Sequence, residues 1–368
     1  MAKKKNAKKE ESANRTETSA SITADQYFEE ARNRPIIPIS LSLDIALGGG
    51  FPMVGAIIIS GMPKVGKTTL ICQAIANAQA LYGKDIKIFY MNIEGRLNLG
   101  KVFAQARGLQ FAKNDNFRII CAPKYHENGR QIGSMKPTTE WWLARTEEVI
   151  LEHPGAIIIW DSFAALCGES EYSSEIGHED RGKSYKVVAQ FCRKYGDTIT
   201  SNGITFFVLT QMTANTSGYG KAYVAKAATA LKHLCDTHIF LKGGTAISID
   251  KQKIGVEVEV IVEESAFGAP FIPCNIPLVY GKGFDVFRDL KNQAVNWGLI
   301  KQNGAWFIIN KGEEEIKIQG EEGVIQMLGE KPDIGASIDF ELRKILLPDV
   351  DAKKNMGYCW PQEIVKRL

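Results

Sequence analysis

Gly61-Met62-Pro63-Lys64-Val65-Gly66-Lys67-Thr68 is the stretch on which the fold turns. Its glycines and its Lys-Thr pair fit the eight-residue pattern of a phosphate-cradling loop. That pattern carries meaning only between a strand and a helix, and both flanks comply. Ala56-Ile57-Ile58-Ile59 is an apolar run before it, and Lys67 to Ala78 reads as a helix after it. In such a setting the backbone from Gly61 through Met62, Pro63, Lys64 and Val65 to Gly66 wraps a phosphate chain, and the helix N-terminus adds a positive dipole. Lys67 is expected to reach the terminal phosphates and the Thr68 hydroxyl to bind Mg2+. The bland alternative is a glycine-rich strand–helix turn.

Working outward, Ile86 to Tyr90, Ala156 to Trp160 and Thr205 to Leu209 repeat the apolar run. Runs buried on both faces and separated by helical patterns predict an α/β fold with a mainly parallel central sheet flanked by helices. Strand-like segments follow at Thr237–Lys242, Val256–Glu263 and Ile276–Val279. Asp161 ends one of the runs. A carboxylate at the C-terminal end of a neighbouring parallel strand can hold Mg2+ through water. Glu94 lies just beyond the strand ending at Tyr90 and points at the same crevice. It is a candidate to orient or deprotonate a water molecule, or else an ordinary loop acid.

Four regions follow from composition. Residues 1–22 are rich in Lys, Ala, Ser and Thr and predict a disordered basic tail. Residues 23–38 hold a short helix at Ala24–Ala31 and a linker that Pro35 and Pro38 keep extended. Residues 39–285 form the core, and 286–368 a small C-terminal α/β domain. In the last, Asp289–Trp297, Glu322–Leu328 and Ile338–Leu347 read as helices, and Trp306–Ile309 with Glu315–Ile318 as a hairpin. Asp349–Leu368 has no clear pattern.

The chain has 45 Lys+Arg and 42 Asp+Glu, and five of its lysines lie in the first nine residues. The folded part is therefore not globally basic, and any contact with nucleic acid must come from local patches. Seven cysteines without a Cys-x-x-Cys pair argue against a disulfide framework or zinc site and fit a reducing cytoplasm. No apolar run approaches the length of a bilayer span.

Ser40-Leu41-Ser42-Leu43-Asp44-Ile45-Ala46-Leu47-Gly48-Gly49-Gly50 resembles the segment before the phosphate loop of bacterial RecA recombinases. Ile176-Gly177, Leu209-Thr210-Gln211 and Tyr280-Gly281-Lys282-Gly283 are similar to landmarks of that family in order and spacing. The likeness spans about residues 35–345, and the short N-terminal element and divergent loops resemble the phage, UvsX-like branch. It implies an ATP- and Mg2+-dependent, DNA-dependent ATPase that forms helical filaments on single-stranded DNA and pairs it with double-stranded DNA. Single-strand-binding and loader proteins would be its accessory partners.

Residue roles follow from the resemblance. Glu94 matches the catalytic glutamate, Lys67 the phosphate lysine, and Gln211 the glutamine that senses the γ-phosphate. Thr69 and Tyr280 join the nucleotide contacts. Phe103 falls where the family stacks an aromatic ring on adenine, with core packing as the alternative. Two DNA loops are implied. The first, Glu169–Gly182, leads to Arg181, Lys186 and Arg193, for which a solvated helix face is the alternative. The second, Met212–Ala228, carries Tyr219, Lys221, Tyr223 and Lys226 and no acid. Phe28 and Ala31 match the Phe-x-x-Ala element by which eukaryotic and archaeal recombinases polymerise. One departure stands out: Glu263-Glu264-Ser265 replaces a lysine pair that reaches the neighbouring subunit's ATP. Two other readings share this core, a hexameric helicase or translocase and a non-catalytic ATP-switched DNA-coating scaffold.

Overall fold

The computed structural model describes residues 23–26, 29, 33–83, 85–95, 99–110, 115–127, 130–173, 181–214, 223–225, 229–265, 268, 273–311 and 314–368. Phe28, Ala31, Tyr219, Lys221 and Lys226 lie outside the described residues, as does the expected tail at 1–22. The chain divides into two units, Met1–Arg34 and Pro35–Leu368. In the first, Ala24–Gln26 and Glu29 are helical. Thr23 and Gln26 bond each other's backbone N–H reciprocally, at 3.0 and 3.2 Å, which satisfies two donors at the helix start.

The second unit is built on the strands β1 (Gly55–Gly61), β2 (Ile88–Asn92), β3 (Phe117–Ile120), β4 (Ile157–Asp161), β5 (Thr205–Ala214), β6 (Cys235–Lys242), β7 (Gln252–Glu264), β8 (Pro273–Val279) and β9 (Gly283–Phe284). They run in the order β9-β8-β7-β6-β1-β5-β4-β2-β3. The strands from β6 to β3 are parallel to their neighbours, and β7, β8 and β9 extend the sheet in antiparallel fashion. Successive side chains of β1 go to opposite faces, as strand geometry demands. Ile57 and Ile59 enter the core shared with helix Lys67–Tyr82, while Ala56 and Ile58 enter the one shared with helices Thr139–Glu152 and Arg181–Ser201. This two-sided burial makes the strands read as unbroken apolar runs.

Several elements differ from expectation. The second loop is shorter than the expected Met212–Ala228, because β5 continues to Ala214 and Tyr223–Ala225 pairs back on it antiparallel. An antiparallel ribbon, Lys124–Glu127 with Arg130–Ser134, was not anticipated. Its sequence signal is the dipeptide Asn128-Gly129 between the strands. Helix Leu41–Leu47 was also missed. It ends at Gly48 in the left-handed region, φ 73°.

Residues 286–368 bury a cluster around Leu290, Phe307, Leu328, Leu342 and Trp360 that Leu41 joins from the core. The expected hairpin gains a third strand, Ile300–Asn303. The unassigned end forms helices Ala352–Met356 and Gln362–Arg367. This layer is bonded into the core. Asp289 accepts from Ser42 N at 2.9 Å and from Ser42 Oγ. Arg343, 1% exposed, donates to Asp339 at 2.7 Å, to Asp44 at 2.9 Å and to Asn355. Asn355 Nδ2 in turn donates to Gly49 O at 2.7 Å. No helix among the described residues is long and apolar enough to cross a membrane.

Candidate nucleotide site

The phosphate loop hangs between β1 and the helix Lys67–Tyr82 at the carboxyl ends of the parallel strands, where open α/β sheets bind ligands. Two residues hold its curl. Lys64 and Gly66 both lie in the left-handed region, at φ 61° and 102°. The positive φ of Gly66 favours glycine there, and a Cβ would also press on Leu278 Cδ2 at 2.9 Å. Gly66 precedes the helix with no side-chain cap, leaving the first-turn N–H groups to an anion.

Lys67 folds over the loop it follows. Its Nζ donates to Gly61 O at 3.0 Å and Met62 O at 2.9 Å. Thr68 Oγ1 donates to Asp161 Oδ2 at 3.0 Å. Asp161 is 2% exposed and accepts a second bond, from Tyr90 Oη, on the same oxygen. Its charge is felt nearby: burial, and then Asp161, push the Cys72 thiol well above its ordinary value. Glu94 approaches from the next strand, its N–H donating to Asp161 O at 3.0 Å. Ser162 Oγ donates to Glu94 Oε1, which ties the Glu94 carboxyl to the residue after Asp161.

Gln211 faces Gly61 directly across the β1–β5 pair. It therefore bridges the start of the phosphate loop and the strand leading into the second loop. Leu241 flanks Gly61 on the other side and accepts from Met62 N at 3.3 Å. Thr69, the third residue of the helix, is buried. Tyr280, 55% exposed, sits at the turn between β8 and β9, whose Leu278 and Phe284 abut Gly66.

Phe103 does not join this group. Its ring is 2% exposed and packs edge-on against Tyr90 at 5.6 Å and against Phe117 at 5.5 Å. With the ring buried among these neighbours, the packing alternative is the one the structure favours. Sequence reasoning missed Tyr90 and Ser162. A tyrosine in an otherwise apolar buried strand was the available signal, since a buried phenol needs a hydrogen-bond partner.

The nucleic-acid candidates lie on other elements. Arg181 opens the helix Arg181–Ser201, along which Lys186 and Arg193 are exposed. Lys186 lines a cleft with Lys183, Glu140 and Glu169, so acids share this surface. Tyr223 begins the short strand paired to β5. At the departure from the lysine pair, Glu263 bonds His238 Nδ1 at 3.2 Å with its side chain 13% exposed, while Glu264 is exposed. His238 Nε2 in turn meets Ser60 Oγ at 2.9 Å.

A family model described as the RecA N-terminal domain matches residues 28–285. Among curated relatives, Protein RecA of Petrotoga mobilis is 29% identical over 325 residues, covering 86% of this chain and 82% of that protein. Protein RecA of Thermotoga maritima is 27% identical over 323 residues, covering 86% and 85%. Protein RecA of Lactococcus lactis is 29% identical over 323 residues, covering 85% and 77%.

Proposed function

Because this chain belongs to the RecA family, we propose that it is an ATP-dependent recombinase that coats single-stranded DNA as a helical filament and exchanges homologous strands. The observation that carries this reading is the convergence of Lys67, Thr68, Asp161, Glu94 and Gln211 at the carboxyl ends of adjacent central strands. A structural strand–helix turn has no need of that set.

The residues fit Mg·ATP. Gly66 leaves the helix start without a side-chain cap, Lys67 stands over the loop, and Thr68 and Asp161 present two hard oxygen donors side by side. Gly61 to Thr69 would hold the phosphates, with Thr68 and Asp161 on the metal. When bound, the nucleotide supplies a labile phosphoanhydride and the metal neutralises its charge. Glu94 would accept a proton from water at its carboxylate, with Ser162 fixing its rotamer. Gln211 would pass the state of the phosphate loop to the second loop along β5. Lys186, Arg193, Lys221 and Lys226 would neutralise DNA phosphates, and Tyr219 and Tyr223 would stack on bases.

We assign the chain to the phage branch on its short N-terminal element and divergent loops. The engagement of Glu263 with His238 supports a filament interface in which the trans cation comes from elsewhere. Electron microscopy of the full chain with single-stranded DNA and a non-hydrolysable ATP analogue tests the reading. Continuous helical filaments are expected, followed by strand exchange when ATP replaces the analogue. Closed rings would refute the filament, and filaments without exchange would refute the recombinase.

A further inference from the structure

Tyr90 is the third residue of β2, fully buried, on the sheet face that packs against the helix carrying Lys67 and Thr68. Burying a phenol O–H without a partner costs far more than its bond returns, so the sequence must supply an acceptor. That acceptor is Asp161 Oδ2, the oxygen that also receives Thr68 Oγ1. The register explains the meeting, because β2 and β4 are adjacent and parallel, with Tyr90 opposite Ile159 and Asn92 opposite Asp161. Phe103, edge-on at 5.6 Å, keeps the phenol ring from turning away.

Two consequences follow for Asp161. A carboxylate that is 2% exposed keeps its charge only if donors replace the lost water. Two hydroxyls on one oxygen provide that, and they also fix the plane of the carboxyl. The other oxygen is thereby aimed by the protein rather than by solvent. We propose that Tyr90 is a positioning residue for the divalent metal: its hydroxyl holds the Asp161 carboxylate in the orientation that lets Thr68 and Asp161 take Mg2+ at low concentration. The inference rests on the nucleotide reading of Thr68 and Asp161 and deepens it. Tyr90 is 0% exposed. It acts only through Asp161, in the way outer residues tune metal sites generally.

Tyr90→Phe isolates the claim, since it keeps the ring, the Phe103 contact and the core volume and removes one oxygen. The measurement is binding of a fluorescent ATP analogue to the full chain as Mg2+ is titrated. The half-saturating Mg2+ concentration should rise about 10- to 100-fold, with analogue binding at saturating Mg2+ and in excess chelator close to wild type. A thermal melt of the same variant separates loss of fold from loss of metal affinity. The second arm repeats Tyr90→Phe in an Asp161→Asn background, where it should shift the Mg2+ midpoint no further. An unshifted midpoint in the single variant, or additive shifts in the double variant, would overturn the role of Tyr90. Nucleotide binding by wild type that ignores Mg2+ would instead overturn the underlying assignment of Thr68 and Asp161.

Discussion

Replacing Arg343 by Met should be the most damaging single change outside the nucleotide site. Arg343 is 1% exposed and its guanidinium serves Asp339, Asp44 and Asn355 at once. Asp44 is 0% exposed and holds Ile39 N at 2.6 Å, while Asp339 also accepts from Trp360 Nε1 at 2.7 Å. Burial already pushes Asp44 up from the usual carboxylate range, and Arg343 is the main force pulling it back. Methionine fills similar space but leaves two buried carboxylates without their cation. Breaking a buried pair from one side costs about 3–5 kcal/mol. Urea unfolding followed by tryptophan fluorescence measures this, and Trp360 lies inside the network. The orphaned carboxylates can escape only by taking up protons. Without Arg343 the folded pKa of Asp44 would lie further above its unfolded value, so the variant should regain stability as pH falls from 8 to 5. Adding Asp44→Asn and Asp339→Asn should recover most of the loss at neutral pH. A cost below about 1 kcal/mol, or a neutralised triple variant no better than the single one, would refute the account.

The other predictions concern the site and one more buried acid. Lys67→Ala should abolish analogue binding, and wild-type ATP hydrolysis by that variant would remove the phosphate loop from consideration. Glu94→Gln should slow hydrolysis by about 10²–10⁴-fold while leaving analogue affinity within about twofold, so rapid turnover would rule out the base. Replacing Lys221 and Lys226 by Ala should flatten the slope of log affinity for single-stranded DNA against log salt by about 0.7 for each phosphate no longer neutralised, and an unchanged slope would exclude phosphate binding there. Burial pushes Asp289 up to about 6 against the pull of its Ser42 hydrogen bonds. The folded state then binds more protons than the unfolded one, so this contribution to stability is full below about pH 4 and is lost as pH rises through 6. Asp289→Asn should flatten stability between pH 4 and 7, and a slope as steep as wild type would show that another group carries it.

The phosphate loop was legible because its chemistry is local. A left-handed Gly66, a lysine and a hydroxyl at fixed offsets, and an apolar run on one side are all written within about a dozen residues. The parallel sheet was legible for a related reason, since burial on both faces leaves no polar alternation in β1, β2, β4 and β5. Whatever depends on residues far apart in the chain was not. Phe103 stands in a position that suits a base stack, and only its neighbours Tyr90 and Phe117 decide that it is core. The last twenty residues carry weak periodicity because a few specific bonds help to hold them, among them Asn355 to Gly49 across 306 positions. Strand order likewise brought the Tyr90 hydroxyl to Asp161, since β2 and β4 are separated in sequence by β3, the antiparallel ribbon and two helices. The sequence by itself determined which groups could bind phosphate. The tertiary structure decided which groups hold them in place, because a buried polar atom takes its partner from whatever the packing puts beside it.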